Sequence, residues 1–284
     1  MKLGVIGTGN MGSTFIEGIY SVRHHGITVF AYNRTKEKIR VLSRKYSELN
    51  VCNDIQEVIE GSMVLVFAVP FSFIQSLPHS VITFLQKKEP LTIVFSSYVP
   101  IKLLQKYLTK KVIKAYPNIN WSIGSGVTIL HFGTHINENE KKTIINLLAR
   151  IGAVYEVPED QFRPFGNLMS CGPALWIKLI DLFVEANVRR YSVDSALGFE
   201  VAQKTIEGTF RLMRERGFDS ERVIKTVVSP GGTTEVGLDC FEQSLPRIFD
   251  DTVEQIGLRE EERIQGLEAK ELGNSLISSE LAGE

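Results

Sequence analysis

The chain has 284 residues, of which 43% are hydrophobic, 23% charged and 9% aromatic. This length suggests two domains or one large one, and the composition excludes collagen-like, coiled-coil and disordered classes. The 32 Lys and Arg residues against 33 Asp and Glu give a net charge of −1. Because a basic excess is the usual mark of nucleic-acid binding, no nucleic-acid partner is expected.

We expect no membrane segment, disulfide framework or metal site. The longest apolar candidate, residues 63–69, suits a strand, and a glycine-rich motif begins too early to leave room for a signal peptide. Cys52, Cys171 and Cys240 are odd in number and widely spaced, which argues against disulfides and zinc. The pattern is typical of a cytoplasmic protein with reduced thiols.

The first half of the chain alternates β-rich runs with amphipathic stretches. Strands are predicted at 3–7, 28–33, 63–69, 91–97, 112–116, 127–132 and 153–157. Helices are predicted between them at 11–24, 35–47, 72–85, 101–108 and 138–151. This alternation predicts an α/β fold with a doubly wound sheet of the Rossmann type in residues 1–158.

The second half, residues 159–284, is predicted to be all-helical. Helices are expected at 172–191, 195–216, 220–228, 235–243 and 248–272, followed by a frayed tail from residue 273. Residues 174–188 are apolar nearly all round, so we expect that helix to be buried centrally or in a subunit interface. The run 259–263, which holds two arginines and three glutamates, is predicted to be a solvated helical face with i,i+4 pairing.

A glycine-rich turn follows the first predicted strand and opens the first predicted helix. Its residues, the candidates for binding a dinucleotide, are Gly7, Thr8, Gly9, Asn10, Met11 and Gly12. The glycines permit a tight turn, the approach of a pyrophosphate and close packing of helix on strand, while the helix N-terminus favours anions. The alternative is a plain glycine-rich turn between strand and helix.

The end of the second strand indicates which nicotinamide cofactor is preferred. An acidic residue there would bind the ribose hydroxyl of NADH, whereas an arginine accommodates the 2′-phosphate of NADPH. This chain has Asn33, Arg34 and Thr35. NADPH is therefore predicted over NADH, although a simple turn with a helix N-cap would also explain Asn33 and Thr35.

A second turn, residues 229–234, separates two predicted helices. It reads Ser-Pro-Gly-Gly-Thr-Thr. Successive backbone N–H groups that lead into a helix N-terminus can bind a carboxylate. From the spacing alone, a helix–turn–helix connection with a threonine cap explains the turn equally well.

These motifs together resemble the pyrroline-5-carboxylate reductase family over essentially the whole chain. The resemblance rests on the glycine-rich turn, on 33–35, on Ala-Tyr-Pro-Asn at 115–118, on Cys-Gly-Pro-Ala at 171–174 and on the 229–234 turn. It implies reduction of Δ1-pyrroline-5-carboxylate to L-proline with NADP as the cofactor. It also implies a homodimer, or a larger homo-oligomer built on one, whose helical domain joins the subunits.

The resemblance assigns roles to individual residues. It implies that Thr234 acts in catalysis by bonding to the imine nitrogen. The substrate-binding residues that it implies are Asn118, Ser229, Gly231, Gly232, Thr233 and Thr234. To the cofactor-binding residues it adds Ala68, Val69 and Pro70.

Three departures from the family pattern leave other functions open. Pro70 stands where the family has a lysine, residues 96–98 read Ser-Ser-Tyr in place of Ala-Ala-Gly, and Ile119 replaces a threonine. The chain could therefore be a regulatory, NADP-binding paralogue of the late-competence type, or could reduce another small carboxylated imine. A β-hydroxyacid dehydrogenase is a remote alternative, since Lys178 is followed by Asp181 where that class has an asparagine.

The near-zero net charge is the average of two opposed halves. Residues 1–157 hold 18 Lys and Arg against 10 Asp and Glu, whereas residues 158–284 hold 14 against 23. A basic nucleotide domain attracts a polyanionic cofactor, and an acidic helical domain favours pairing of opposite charges between subunits.

Overall fold

Within the described residues, eight strands form one sheet. The computed structural model describes residues 1–22 and 26–281, with the backbone alone for residue 268 and residues 270–281. The strands are β1 (Lys2–Ile6), β2 (Thr28–Tyr32), β3 (Asn50–Val51), β4 (Val64–Phe67), β5 (Leu91–Phe95), β6 (Val112–Pro117), β7 (Gly126–Phe132) and β8 (Gly152–Glu156). Their order is β3-β2-β1-β4-β5-β6-β7-β8, and each neighbouring pair is parallel except β6 with β7. The first six strands follow the Rossmann order, which confirms the predicted fold class.

Two apolar cores lie on opposite faces of this sheet. Leu3 and Val5 of β1 belong to one buried cluster, whereas Ile6 belongs to the other. Alternate residues of β4 divide between the clusters in the same way. Because successive side chains of a strand point to opposite faces, both faces must be covered, and the near-continuous apolar strands are the signature of that burial.

In the described part of the first half, seven α-helices cover the sheet. They are α1 (Asn10–Ser21), α2 (Lys36–Lys45), α3 (Ile55–Gly61), α4 (Phe71–Gln75), α5 (His79–Lys88), α6 (Ile101–Tyr107) and α7 (Glu138–Leu148). The single helix predicted at 72–85 is wrong: it divides into α4 and α5, because Pro78 favours the start of a helix and not its interior. The end predicted for the first helix, at residue 24, lies outside the described residues.

In the described part of the first half, the sequence prediction also missed the strand β3 and the helix α3, and after β8 it missed the short helix at Phe162–Gly166. β3 is two residues long, too short to show an alternating pattern. α3 is seven residues long and begins at Asp54, whose carboxylate accepts a hydrogen bond of 2.9 Å from the backbone N–H of Glu57. The N-cap signal was present in the sequence, but the helix spans only two turns.

After β8 the described part of the chain is helical, as predicted. The helices are α8 (Phe162–Gly166), α9 (Gly172–Tyr191), α10 (Ser195–Arg216), α11 (Ser220–Val227) and α12 (Thr233–Leu281), and a π-helical turn at Asn167–Cys171 joins α8 to α9. The predicted break between residues 243 and 248 is wrong, as is the tail from residue 273. α12 continues through Pro246, since an interior proline removes one hydrogen bond while the turns on either side persist. Residues 282–284 lie outside the described part.

The apolar helix α9 is largely exposed within the single chain. Only Gly172 and Val184 are buried along it, whereas Ile177, Leu182 and Phe183 are 49%, 49% and 59% exposed. The expectation of central burial is therefore wrong. The other expectation, burial in a subunit interface, is consistent with this exposure.

The chain divides into two compact units. One comprises Met1–Ser170 with Arg263–Glu284, and the other comprises Cys171–Glu262. The end of α12 thus belongs with the sheet unit. The domain boundary at residue 158 stays a prediction.

One segment, Glu159–Tyr191, is long and apolar enough to cross a membrane when judged by length and composition alone. Its most apolar window has a mean hydropathy of 1.3. The helix of a dimer interface has the same composition, so the segment is weak evidence for a membrane span. The absence of a membrane segment stays a prediction.

Candidate functional site

A cleft of 340 Å³ opens at the carboxyl ends of β1, β2 and β4. The strand order reverses between β1 and β4, and ligands of open α/β sheets bind at such a point. The cleft is lined by Ile6, Gly7, Gly9, Tyr32, Asn33, Arg34, Thr35, Lys38, Ala68, Val69, Pro70, Ser72, Phe73 and Ser76. Eight of the predicted cofactor-binding residues are therefore brought together here.

Three positions of the first turn are glycine for different structural reasons. Gly7 has a φ of +96°, and a Cβ there would lie 2.6 Å from the carbonyl oxygen of Ala68. A Cβ at Gly12 would collide with the carbonyl oxygen of Gly7. At Gly9, in contrast, a Cβ would meet nothing within 4 Å. The protein itself gives no packing reason for glycine at position 9, and a ligand that approaches the backbone would give one.

The N-terminus of α1 is open to an anion. Gly9 is its N-cap and no side chain caps it. The hydroxyls of Ser13 and Thr14 donate to carbonyls of Gly9 and Asn10, so they leave the first N–H groups uncapped. Since these groups have no intrahelical acceptor, the helix start fits a pyrophosphate.

Asn33 joins the two loops that border the cleft. Its side-chain oxygen accepts a hydrogen bond of 2.8 Å from the backbone N–H of Thr8, and its Nδ2 donates to the carbonyl of Thr35 at 2.8 Å. Thr8 itself is buried, and its hydroxyl has no hydrogen-bond partner among the described residues. Asn33 therefore fixes the positions of the glycine-rich turn and of Arg34.

One end of the cleft is cationic. Arg34, Thr35 and Lys38 line it together, and Arg34 makes no ion pair with a carboxylate in the described part of the chain. Lys38 was not predicted; it lies in the first turn of α2, three residues after the N-cap Thr35. Two cations and a hydroxyl suit a phosphate group.

A second cleft, of 260 Å³, adjoins the first at Val69 and Pro70. Its walls are apolar side chains and hydroxyls, with one arginine. They comprise Met11, Val69, Pro70, Phe71, Ile74, Val94, Phe95, Ser96, Ser97, Tyr98, Val99, Leu104, Tyr116, Pro117, Ser170 and Arg263. Two of the departures from the family pattern, Pro70 and Tyr98, thus line this cleft.

Three further predicted residues of the sheet unit, Asn10, Gly12 and Asn118, line neither cleft. Asn10 and Gly12 lie in the first turn of α1. Asn118 is buried, and its side-chain oxygen accepts a hydrogen bond of 3.0 Å from the backbone N–H of Val127. This bond holds the start of β7, and the role of Asn118 in substrate binding stays a prediction.

The 229–234 turn belongs to the second unit and runs into α12. Gly231 has a φ of +73°, and the N–H of Gly232 donates to the carbonyl of Ser229 at 2.9 Å. The carboxylate of Glu235 accepts a hydrogen bond of 2.6 Å from the N–H of Gly231. The N–H of Gly231 is therefore already bonded to a carboxylate of the chain itself, and the binding of a substrate carboxylate by this turn stays a prediction.

Cys171 and the histidines offer no alternative chemistry in the described residues. Burial, and then the charge of Glu260, raise the pKa of the Cys171 thiol, so this side chain is not poised as a thiolate. His131 Nδ1 lies 3.2 Å from the carbonyl oxygen of Val157. No group of three His, Cys, Asp or Glu side chains in the described part of the chain is arranged to hold a metal ion.

Two family models match the chain. Residues 159–263 match pyrroline-5-carboxylate reductase dimerisation, and residues 2–94 match NADP oxidoreductase, coenzyme F420-dependent. The helical part of the chain is therefore similar to pyrroline-5-carboxylate reductases in their dimerisation region, and the first part is similar to NADP-dependent oxidoreductases. The resemblance stated from the motifs is therefore confirmed.

The relatives and solved structures agree with this family. ComE operon protein 4 of Bacillus subtilis is 27% identical, with 94% of this chain and 98% of the relative covered. The pyrroline-5-carboxylate reductase of Aquifex aeolicus is 28% identical, over 86% and 89%. The crystal structure of Plasmodium falciparum pyrroline carboxylate reductase with NADP bound has a TM-score of 0.78 at 23% identity, over 94% and 97%. The Coxiella burnetii family member has a TM-score of 0.81 at 23% identity, over 92% and 97%.

Proposed function

We propose that this chain is an NADPH-dependent reductase that forms L-proline from Δ1-pyrroline-5-carboxylate. We propose further that it works as a homodimer, or as a larger assembly built on a dimer, in the cytoplasm. The observation that carries the proposal is the first cleft, with its open glycine, its uncapped helix start and its two cations. Similarity to pyrroline-5-carboxylate reductases supports the imine as substrate.

The cleft fits NADPH along its length. Gly9 leaves the backbone of α1 accessible to the pyrophosphate, and Arg34 with Lys38 and Thr35 fits the 2′-phosphate. When bound, the reduced nicotinamide supplies a hydride. The other end of the cleft continues at Val69 and Pro70 into the second cleft, which is where a ring could lie beside Met11 and Tyr98.

The chemistry asks the protein for orientation more than for a strong acid or base. A protonated cyclic imine accepts hydride directly at carbon. The 229–234 turn has N–H groups for a carboxylate and the Thr234 hydroxyl for the ring nitrogen, and it contains no histidine, lysine or cysteine. Thr234 is therefore assigned to holding the imine nitrogen, with Ser229 and the backbone near Gly232 holding the carboxylate.

The exposed apolar face of the helical unit supports the dimer. A groove of 640 Å³ lies between α9 and α10 and is lined by apolar side chains, among them Phe183, Leu197 and Val201. These three residues are 59%, 57% and 56% exposed. Contiguous apolar surface of this kind marks protein interfaces. The dimerisation model that matches residues 159–263 covers this face.

A regulatory, NADP-binding paralogue is the second candidate. Two observations favour it: ComE operon protein 4 is a similar protein of nearly the same length, and Pro70 and Tyr98 alter the wall of the second cleft. A reductase of another carboxylated imine would use the same clefts. Helix α9 does not support a β-hydroxyacid dehydrogenase, since the side chain of Lys178 is 61% exposed and lies 3.9 Å from the carboxylate of Glu185.

The test is an assay of purified protein with NADPH and Δ1-pyrroline-5-carboxylate beside direct NADPH binding. We expect proline to form and NADPH to bind. Tight binding without proline would favour the regulatory candidate, and failure to bind either nicotinamide would contradict both.

Thr234→Ala is the sharpest variant for the assigned role. We expect turnover to fall by about 10²-fold, the range of a lost transition-state hydrogen bond, with NADPH affinity unchanged. Thr226→Ala is a matched control, because its hydroxyl only donates to the carbonyl of Arg222 within α11. If turnover of Thr234→Ala equals that of the control, Thr234 is not part of the site.

A further inference from the structure

Arg263 is exposed to solvent, as predicted for the helical face 259–263, and it also lies in the wall of the second cleft. It belongs to the sheet unit with the rest of that cleft. Leu267, one helical turn later, packs against the buried cluster that includes Phe71, Ile74 and Leu104. Residues four apart lie on the same side of a helix, so this contact turns Arg263 toward the cleft.

Arg259 and Arg263 differ in what surrounds them. The guanidinium of Arg259 lies 2.6 Å from the carboxylate of Glu262, a pair that is exposed to solvent. Arg263 makes no ion pair with a described carboxylate. Among the described residues that line the second cleft, the formally charged side chain is that of Arg263. Arg259 thus pairs at a spacing of three and not at the predicted spacing of four, and Arg263 has no carboxylate partner among the described residues.

The 229–234 turn lacks such a charge. It contains no lysine or arginine, and the first charged side chain after it is Glu235, whose carboxylate already accepts from Gly231. Backbone N–H groups offer partial charges, so a substrate carboxylate would meet dipoles and a nearby negative side chain. The turn itself therefore offers a substrate carboxylate no full positive charge.

We propose that Arg263 is the residue that makes the site specific for carboxylated cyclic imines over neutral ones. Its guanidinium, which is charged at every physiological pH, attracts and pairs with the carboxylate of a ring held among the hydroxyls of Ser96, Ser97 and Tyr98. This inference rests on the proposed function. It places a charged group for the carboxylate in the second cleft, within the sheet unit.

The experiment compares two substrates in three variants. Arg263→Gln is expected to raise the KM for pyrroline-5-carboxylate by about tenfold or more while kcat stays within about threefold, because uniform binding is lost. For 1-pyrroline, which has the imine without the carboxylate, both constants should stay at the wild-type values. Arg263→Lys should restore part of the discrimination, and Arg259→Gln should behave as wild type.

Equal losses on both substrates would mean a structural role and would overturn the inference, as would no loss on either. High salt should weaken the wild-type preference for the carboxylated imine and leave Arg263→Gln unaffected. An absence of this salt effect would also count against the inference.

A binding measurement separates this inference from the proposed reduction. Tetrahydrofuran-2-carboxylate has the ring and the carboxylate but no imine, and its affinity for the NADPH-saturated protein can be measured by calorimetry. We expect Arg263→Gln to weaken this affinity by about tenfold. If the wild-type chain reduces neither imine, the proposed function fails, and Arg263 is judged on this binding alone. Equal affinity in wild type and Arg263→Gln, or no binding by wild type, would overturn the inference.

Discussion

Arg34 is the residue on which the choice of cofactor depends. It stands at the cationic end of the first cleft beside Thr35 and Lys38, and Asn33 holds its loop against the glycine-rich turn. The place of Arg34 in the cofactor cleft could be predicted from the sequence, because the end of the second strand borders the cofactor in this fold. The place of Lys38 in the cleft could not be predicted, since the face that α2 turns to the cleft depends on how this helix packs.

Arg34→Ala should weaken NADPH binding by about 10- to 100-fold, the worth of a charge-assisted hydrogen bond, and leave NADH binding nearly unchanged. Fluorescence titration with both cofactors measures this. Arg40→Ala is the matched control, because Arg40 lies nearby on α2, outside the cleft, 3.9 Å from Glu37. Equal losses for NADPH and NADH would contradict contact with the 2′-phosphate.

Gly9 and Gly12 separate a binding role from a packing role within one turn. Gly9→Ala adds a Cβ in open space, so NADPH affinity should fall by about tenfold or more while the free energy of unfolding is unchanged. Gly12→Ala forces a Cβ onto the carbonyl of Gly7, so it should lower the free energy of unfolding by about 1–3 kcal/mol. Urea denaturation and cofactor titration on both variants check the pair. Loss of stability in Gly9→Ala would contradict the assignment.

At the scale of the elements, the strands could be predicted better than the helices. Each of the seven predicted strands is present within two residues of its predicted bounds, because an apolar run bounded by turn residues marks a strand buried on both faces. Pro78 and Pro246 show why helices were harder to predict. The first lies between two helices and the second lies inside one, a difference that depends on the packing around them.

The start of α7 makes its own contribution to stability. Asn137 and Glu140 form a capping box, and Glu140 also pairs with Lys111 at 2.6 Å. Burial alone would raise the pKa of Glu140, but the hydrogen bonds from Lys111 and from the backbone of Asn137 outweigh it and hold the pKa below its ordinary value. The charged form is therefore favoured by folding.

Glu140→Gln should lower the free energy of unfolding by about 1 kcal/mol at pH 7. Because folding lowers this pKa, the wild-type advantage is present above the unfolded value of 4.5 and is lost as the pH falls through the folded value. Urea denaturation between pH 7 and pH 3 measures the difference. Glu138→Gln, at an exposed position of the same helix, should show no such trend. A difference that grows as the pH falls would contradict this account.

At the scale of the molecule, the two halves differ in charge and in how they bury apolar surface. The sheet unit has two cores, whereas the helical unit leaves Phe183, Leu197 and Val201 exposed beside its groove. The sequence predicted an apolar helix in an interface, because α9 is apolar nearly all round. It could not predict that Arg263 would line the second cleft, since that depends on where α12 ends against the sheet unit.

Val201→Glu places a charge in the groove and should convert the dimer to monomer, as measured by light scattering after gel filtration. Val41→Glu, which changes a 66% exposed valine on the sheet unit, should remain dimeric. If cross-domain charge pairing contributes, the wild-type dimer should also weaken at high salt. A dimer that survives Val201→Glu would contradict this interface.

The central claim is that this protein delivers a hydride from NADPH to the carbon of a cyclic imine. The most direct test uses NADPH deuterated at the transferring position of the nicotinamide, with Δ1-pyrroline-5-carboxylate and the purified protein. The account predicts proline that contains one deuterium, on the ring carbon bonded to nitrogen and away from the carboxylate, as located by mass spectrometry and NMR. Proline without deuterium, or no proline while NADPH binds tightly, would contradict it.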